Sequence, residues 1–165
     1  MMIHLHNEDW GFETNCFVCE PSNAHGLRIP FFHDTERGIV TAAFELSDTF
    51  SGAPTLVHGG ITLAVLDEAM AWACIAIGER WAVTTETPTV FHRPVRVAGS
   101  YLVEAEVVEH VDHVDTTMRT VARVLDRRGA VRADARATFT VLGEARATRL
   151  AGGAIEGRNR RYVNG

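Results

Sequence analysis

His58-Gly59-Gly60-Ile61-Thr62-Leu63-Ala64-Val65-Leu66-Asp67-Glu68-Ala69-Met70-Ala71-Trp72-Ala73-Cys74-Ile75-Ala76-Ile77 is apolar from Ile61 onward except for Thr62 and the adjacent pair Asp67-Glu68. The stretch reads as a helix over about residues 59–78, opened by two glycines and stopped by Gly78-Glu79-Arg80. A carboxylate stripped of water without a partner is costly, so stability alone does not account for an acid in such a helix. Asp67 is therefore a functional candidate, the plainer alternative being a paired structural acid in a core helix. Gly59 and Gly60 allow backbone to approach a ligand closely. The first helical turn leaves N–H groups unpaired at the positive end of the helix dipole, which suits an oxyanion.

Helix geometry sets a further constraint. At ~1.5 Å rise per residue, Asp67 lies ~12 Å down the axis from Gly59, too far for both to reach one small reacting group. Two copies of the helix running antiparallel across a two-fold axis would bring Gly59 of one subunit to Asp67 of the other. A homodimer is expected on that ground. Glu68 rivals Asp67 but points about 100° away around the helix, so the two cannot share one role.

Outward from the helix, Leu27 to His33 and Ile39 to Leu46 read as a hairpin around turn residues 34–38. Beyond it, Ala82 to His92 opens a β-rich half, with Pro88 arguing for an edge or a bulge. Tyr101 to His110, Thr116 to Leu125 and Val131 to Leu142 follow, the last two joined by Asp126-Arg127-Arg128-Gly129. In the final strand Val131, Ala133, Ala135, Ala137, Phe139 and Val141 alternate with polar residues, giving one core face and one wet face. The pattern is α+β, a curved antiparallel sheet wrapped around one long central helix. Residues 1–26 are expected to be an irregular lead-in, 27–142 a single domain, and 143–165 a flexible tail.

The 165 residues, 46% of them hydrophobic, suffice for one domain with a real core. No signal-peptide pattern is visible, and the charged pair Asp67-Glu68 interrupts the best membrane-length run, so a cytoplasmic protein is expected. The net charge of −5 gives no footprint for nucleic acid. All 16 basic residues are arginine, which fits a coding bias better than a design for phosphate binding.

His58-Gly59-Gly60, Leu66-Asp67-Glu68-Ala69, Val83-Thr84 and Phe91-His92-Arg93-Pro94-Val95 together resemble the hotdog-fold acyl-CoA thioesterases of the phenylacetate-pathway type. The Asp nine residues after the His and the Pro ten after the Thr match that family's spacing. Cys16-Phe17-Val18-Cys19 and Asn23-Ala24-His25-Gly26-Leu27 resemble the N-terminal segment of many of its bacterial members. The resemblance covers roughly residues 15–142.

It implies hydrolysis of an acyl- or aroyl-CoA thioester by a cytoplasmic homodimer or dimer of dimers, with no metal and no other cofactor. The Gly59 amide would polarise the thioester carbonyl, and Asp67 would act as general base or nucleophile. Thr84 would position the water or the carboxylate, and His58 would brace the loop or touch the thioester oxygen. Gly60, Glu68, Met70, Phe91 and Arg93 are expected at the substrate. One departure is that several relatives carry an Asn about six residues before the His, where this chain has Ser51-Gly52-Ala53-Pro54.

Other constellations carry less. Cys16 and Cys19 with His25 could supply three zinc ligands, but no fourth is evident and inert thiols are the default reading. Cys74 reads as a core residue. His110, Asp112, His113 and Asp115 read as a solvated turn. His92 reads as a surface or interface histidine. Ser51 and Ser100 lack a nucleophile elbow. Arg93, Arg119, Arg123, Arg136 and the tail arginines could meet CoA phosphates or simply form a solvated face. Met70, Trp72, Trp81 and Phe91 suit a pocket wall or the core equally. Two other functions remain open on the same fold: an acyl-CoA-binding or sensor protein without catalysis, and a hydratase or dehydratase of an enoyl or hydroxyacyl thioester.

Overall fold

The computed structural model describes residues 1–8, 10–109 and 116–164. The His110–Asp115 turn lies outside the described residues. The elements are β1 (Met2–Leu5), β2 (Phe31–Asp34), β3 (Ile39–Glu45), β4 (Ser51–Ala53), β5 (Leu56–Val57), α1 (Gly59–Ala76), β6 (Ala82–Glu86), β7 (Thr89–Phe91), β8 (Ser100–Glu109), β9 (Thr117–Asp126), β10 (Val131–Val141) and α2 (Glu144–Ala151).

The main sheet is antiparallel, in the order β1-β2-β3-β8-β9-β10-β6, with β7 also on β10. Strands β6 and β7 run one after the other along the same edge of β10, interrupted at Thr87-Pro88, and within β6 Thr85 bulges where Glu86 and Thr84 face the consecutive pair Thr138 and Phe139. Pro88 thus sits at an edge, where its missing N–H breaks no ladder bond, while its carbonyl still accepts from the Arg136 N–H at 3.0 Å. In β10 Ala133, Ala135, Ala137, Phe139 and Val141 are buried in strict alternation.

Helix α1 packs against β2, β3, β6, β8, β9 and β10, so the sheet curls around it in the hotdog arrangement. Val65, Leu66, Ala69, Met70, Ala73 and Cys74 are fully buried, one stripe at helical spacing. Fully burying a Leu- or Met-sized side chain is worth roughly 1.5–3 kcal/mol. By length and composition alone α1 could cross a membrane, but here the sheet supplies its apolar surroundings. The helix ends two residues before the expected Gly78, the Ile77 and Gly78 N–H groups both returning to the Ala73 carbonyl.

Three segments differ from the sequence expectation. The strand expected from Leu27 begins only at Phe31, because Arg28 takes a left-handed conformation (φ 55°). The Leu27 and Ile29 N–H groups turn instead to the Phe17 and Val18 carbonyls, at 2.7 and 2.9 Å. The lead-in is not wholly irregular, since β1 adds an edge strand to β2. The segment after Gly143, expected to be a flexible tail, folds back as α2 and a 3-10 turn over Gly157–Tyr162, burying Ala147, Ile155 and Val163. It closes a small aromatic cluster in which Trp10 meets Trp81 and Tyr162, with ring centroids 5.3 and 6.1 Å apart. The apolar residues that do this are single and widely spaced, which is why no period announces them.

Candidate active site

The start of α1 is held from three directions. The Val57 N–H reaches the Val95 carbonyl and the His58 N–H reaches the Phe50 carbonyl, each at 2.9 Å. His58 is the N-cap, and its Nδ1 accepts from the Gly60 N–H at 2.9 Å. A Cβ on Gly60 would lie 3.1 Å from that nitrogen, a tight contact that would push the imidazole by a few tenths of an ångström. His58 therefore braces the loop and occupies the Gly60 donor. The Gly59 N–H has no acceptor among the described residues. Phe91 stands beside it, its ring 3.8 Å from where a Gly59 Cβ would lie, and is half exposed together with Val90.

Two turns further along α1, Asp67 is half-buried, and its Oδ1 accepts from the Thr84 hydroxyl of β6 at 2.8 Å. No cation pairs with it among the described residues. Burial pushes its carboxyl above the ordinary carboxylate range, and the Thr84 hydrogen bond only partly opposes the shift.

Glu68, the next residue, looks the other way. Its Oε1 shares a 3.3 Å hydrogen bond with Cys16 Sγ of the lead-in. Burial, followed by the charge of Cys16, pushes Glu68 up to about 8. Cys16 is drawn down by the hydrogen bond from Cys19, and Cys19 is driven up in return. His25, the third zinc ligand considered from sequence, is exposed and is not part of this group. The missed partner was Glu68, 52 positions away from Cys16.

The Asn23-Ala24-His25-Gly26-Leu27 motif serves as the scaffold of the thiol loop. The buried Asn23 side-chain amide donates to the Asn15 carbonyl at 3.2 Å, and its oxygen accepts from the His25 N–H at 3.0 Å. Gly26 packs so closely that a Cβ there would lie 2.5 Å from the Phe17 carbonyl oxygen.

The remaining expected residues separate. Met70 is fully buried in the core, so it packs behind the site instead of lining it. Trp72 and Trp81 border a cavity of about 240 Å³ on the Glu68 side. Arg93 lines a groove of about 410 Å³ with Arg127, Arg128 and Arg132. Arg119 pairs with Glu109, and Arg123 with Arg37 holds the buried Glu104. His92 pairs with Asp134 on β10. Cys74 is a core thiol, pushed up to about 12 by burial.

Residues 55–113 match the family model described as the thioesterase superfamily. No curated protein matches the chain. Among solved structures, a thioesterase superfamily protein superposes with a TM-score of 0.68 at 22% identity, over 76% of this chain and 60% of the other. A Streptococcus mutans protein bound to acetyl-CoA gives 0.59 at 22% identity, covering 64% of this chain and 82% of that one. The Escherichia coli PaaI protein from the phenylacetic acid degradation operon gives 0.58 at 20%, covering 64% and 74%.

Proposed function

We propose, from the premise that residues 55–113 belong to the thioesterase superfamily on a hotdog fold, that this protein hydrolyses an acyl- or aroyl-CoA thioester to the free acid and CoA. The observation that carries the reading is Asp67: a half-buried carboxylate held at one oxygen by Thr84, two helical turns from Gly59, with neither a cation at Asp67 nor an acceptor for the Gly59 N–H among the described residues.

In this reading Asp67 of one subunit and Gly59 of a second act on one thioester. Thr84 fixes Oδ1, leaving Oδ2 to take a proton from water as its oxygen attacks the thioester carbon. The Gly59 N–H, at the positive end of α1, receives the negative charge that develops on the carbonyl oxygen. Collapse of the tetrahedral intermediate breaks the C–S bond, and the proton returns from Asp67 to the leaving thiolate. A raised pKa suits this base, because its conjugate acid must hand the proton on near neutral pH. Direct attack by Asp67 through an anhydride uses the same groups and remains the alternative course. The half-exposed Phe91 beside Gly59 supports a second subunit packing there. The groove containing Arg93 offers guanidinium groups to the phosphates of CoA. A cytoplasmic location and a dimer of dimers belong to the same proposal.

The test is release of free thiol from a panel of short, long and aromatic acyl-CoAs, wild type beside Asp67→Asn. Wild-type turnover should fall by about 10²–10⁴ in the variant while the fold is kept. Tight acyl-CoA binding with no turnover in either protein would instead favour a sensor, and wild-type rates in the variant would remove Asp67 from the chemistry.

A further inference from the structure

The arrangement around Asp67 leaves its neighbour Glu68 unused, on the helix flank that the lead-in covers. Cys16 Sγ, Cys19 Sγ and a Glu68 carboxylate oxygen all lie within 4.8 Å of one another. We propose that Cys16, Cys19 and Glu68 form a binding site for a thiophilic divalent cation, zinc being the ion that their chemistry matches.

The spacing fits a tetrahedral centre. With Zn–S of ~2.3 Å and Zn–O of ~2.0–2.2 Å, a sulfur and an oxygen ligand stand about 3.5 Å apart. Cys16 Sγ and Glu68 Oε1 are 3.3 Å apart.

The thiol loop is also built before any ion arrives. The Val18 and Cys19 N–H groups both approach Cys16 Sγ at 3.4 Å, the donors that a ligating thiolate needs. Asn7 Nδ2 donates to Cys19 Sγ at 3.2 Å. The loop backbone is tied down through Phe17 and Val18 to Leu27 and Ile29, so the sulfurs are held in place by hydrogen bonds on both sides. Cys16 and Glu68 also line the cavity of about 240 Å³, which has room for a water to complete the coordination. No arginine among the described residues lines that cavity, and a divalent cation binding here would displace the thiol protons and supply the positive charge that the ligands then need. Its effect would be to clamp the lead-in onto α1 one residue away from Asp67.

The experiment uses the whole chain, reduced, without a histidine tag, and stripped of metal by a chelator. Cobalt(II) is added, then zinc(II), and thiolate-to-cobalt charge-transfer absorption is followed. One cobalt per chain, displaced by one zinc, is expected, with zinc slowing alkylation of Cys16 and Cys19 in peptide mass analysis. Cys16→Ser and Glu68→Gln should each weaken zinc binding by at least about tenfold, and His25→Ala should bind like wild type. Wild type that shows no charge-transfer band overturns the proposal, as does a band that survives the double change Cys16→Ser and Cys19→Ser. Formation of a Cys16–Cys19 disulfide at the same rate with zinc as without it overturns it too. The cobalt and alkylation readings on wild type decide the matter even where a variant fails to fold.

Discussion

Asp67 and Glu68 are adjacent on one helix, are both carboxylates, and are both pushed upward by burial, yet they belong to different parts of the molecule. Asp67 faces a single hydroxyl on β6, close in sequence and rigidly placed by the sheet. Glu68 faces a pair of thiols on the lead-in, its hydrogen-bond partner Cys16 lying 52 positions back. The 100° turn between neighbouring helical residues is enough to separate the proposed site of proton transfer from a cluster of metal-type ligands. What the comparison teaches is that the partner, more than the acid, decides what a buried carboxylate can do.

The sharpest way to break this division is at the two ends of the hydrolytic arrangement. Gly59→Pro removes the proposed oxyanion donor while proline remains acceptable in the first helical turn, and the extended His58 backbone (φ −58°, ψ 134°) suits a residue before proline. Turnover should drop by about 10²–10³. Mixed with Asp67→Asn subunits, it should recover: a hybrid dimer has one site with both groups intact, so random exchange restores about a quarter of wild-type activity. Subunit mixtures that stay inactive would rule out a site that Gly59 and Asp67 share across the interface.

On the Glu68 side, Gly26→Ala forces a Cβ to within 2.5 Å of the Phe17 carbonyl oxygen. A loss of about 1–3 kcal/mol in denaturant unfolding is expected, together with weaker metal retention. An unchanged midpoint would show that the thiol loop is looser than its hydrogen bonds indicate.

Thr84→Val should act in the opposite region and more gently. Removing the hydroxyl leaves desolvation unopposed, so the rising limb of the pH–rate profile should move to higher pH. A limb that stays in place would mean that a group other than Asp67 is being read.

The smallest effect is on stability. The folded pKa of Asp67 lies above its unfolded value, so the fold favours the protonated form. Its contribution is fully present below about pH 3.9 and is lost as pH rises through the folded value. Asp67→Asn keeps the neutral form throughout. The stability gain of the variant over wild type should therefore be near zero in acid and grow toward neutrality, which chemical unfolding at a series of pH values would measure.

Much of the frame around α1 was legible because it is written in periodic elements. The apolar run after Gly60 announced α1, and the alternation from Val131 to Val141 announced β10 with its correct inner face. The distance argument along α1 needed only helix geometry. Thr84 came through the family resemblance, which implies that it positions the water or the carboxylate, and its hydroxyl donates to Asp67 Oδ1. The Glu68 contact was not legible, because Cys16 sits in a loop whose course depends on Asn23, Gly26 and the left-handed Arg28. No period links such a loop to a helix, and CxxC pointed to His25, its nearest candidate ligand in sequence. The segment after Gly143 was misread for a related reason: a helix of eight residues with only Ala147 buried has almost no apolar signature.

The closure of the aromatic cluster by that last segment also sets a schedule for synthesis. Trp10 is covered in part by Tyr162, and Asn159 Nδ2 donates to the Glu8 carbonyl across 151 positions. At roughly 5–20 residues per second on the ribosome, the tryptophan must wait on the order of 8–30 s for its partner to be made. During that interval the nascent chain exposes the indole of Trp10 and one face of Trp81, and slow translation of the final third would prolong the period in which it can aggregate.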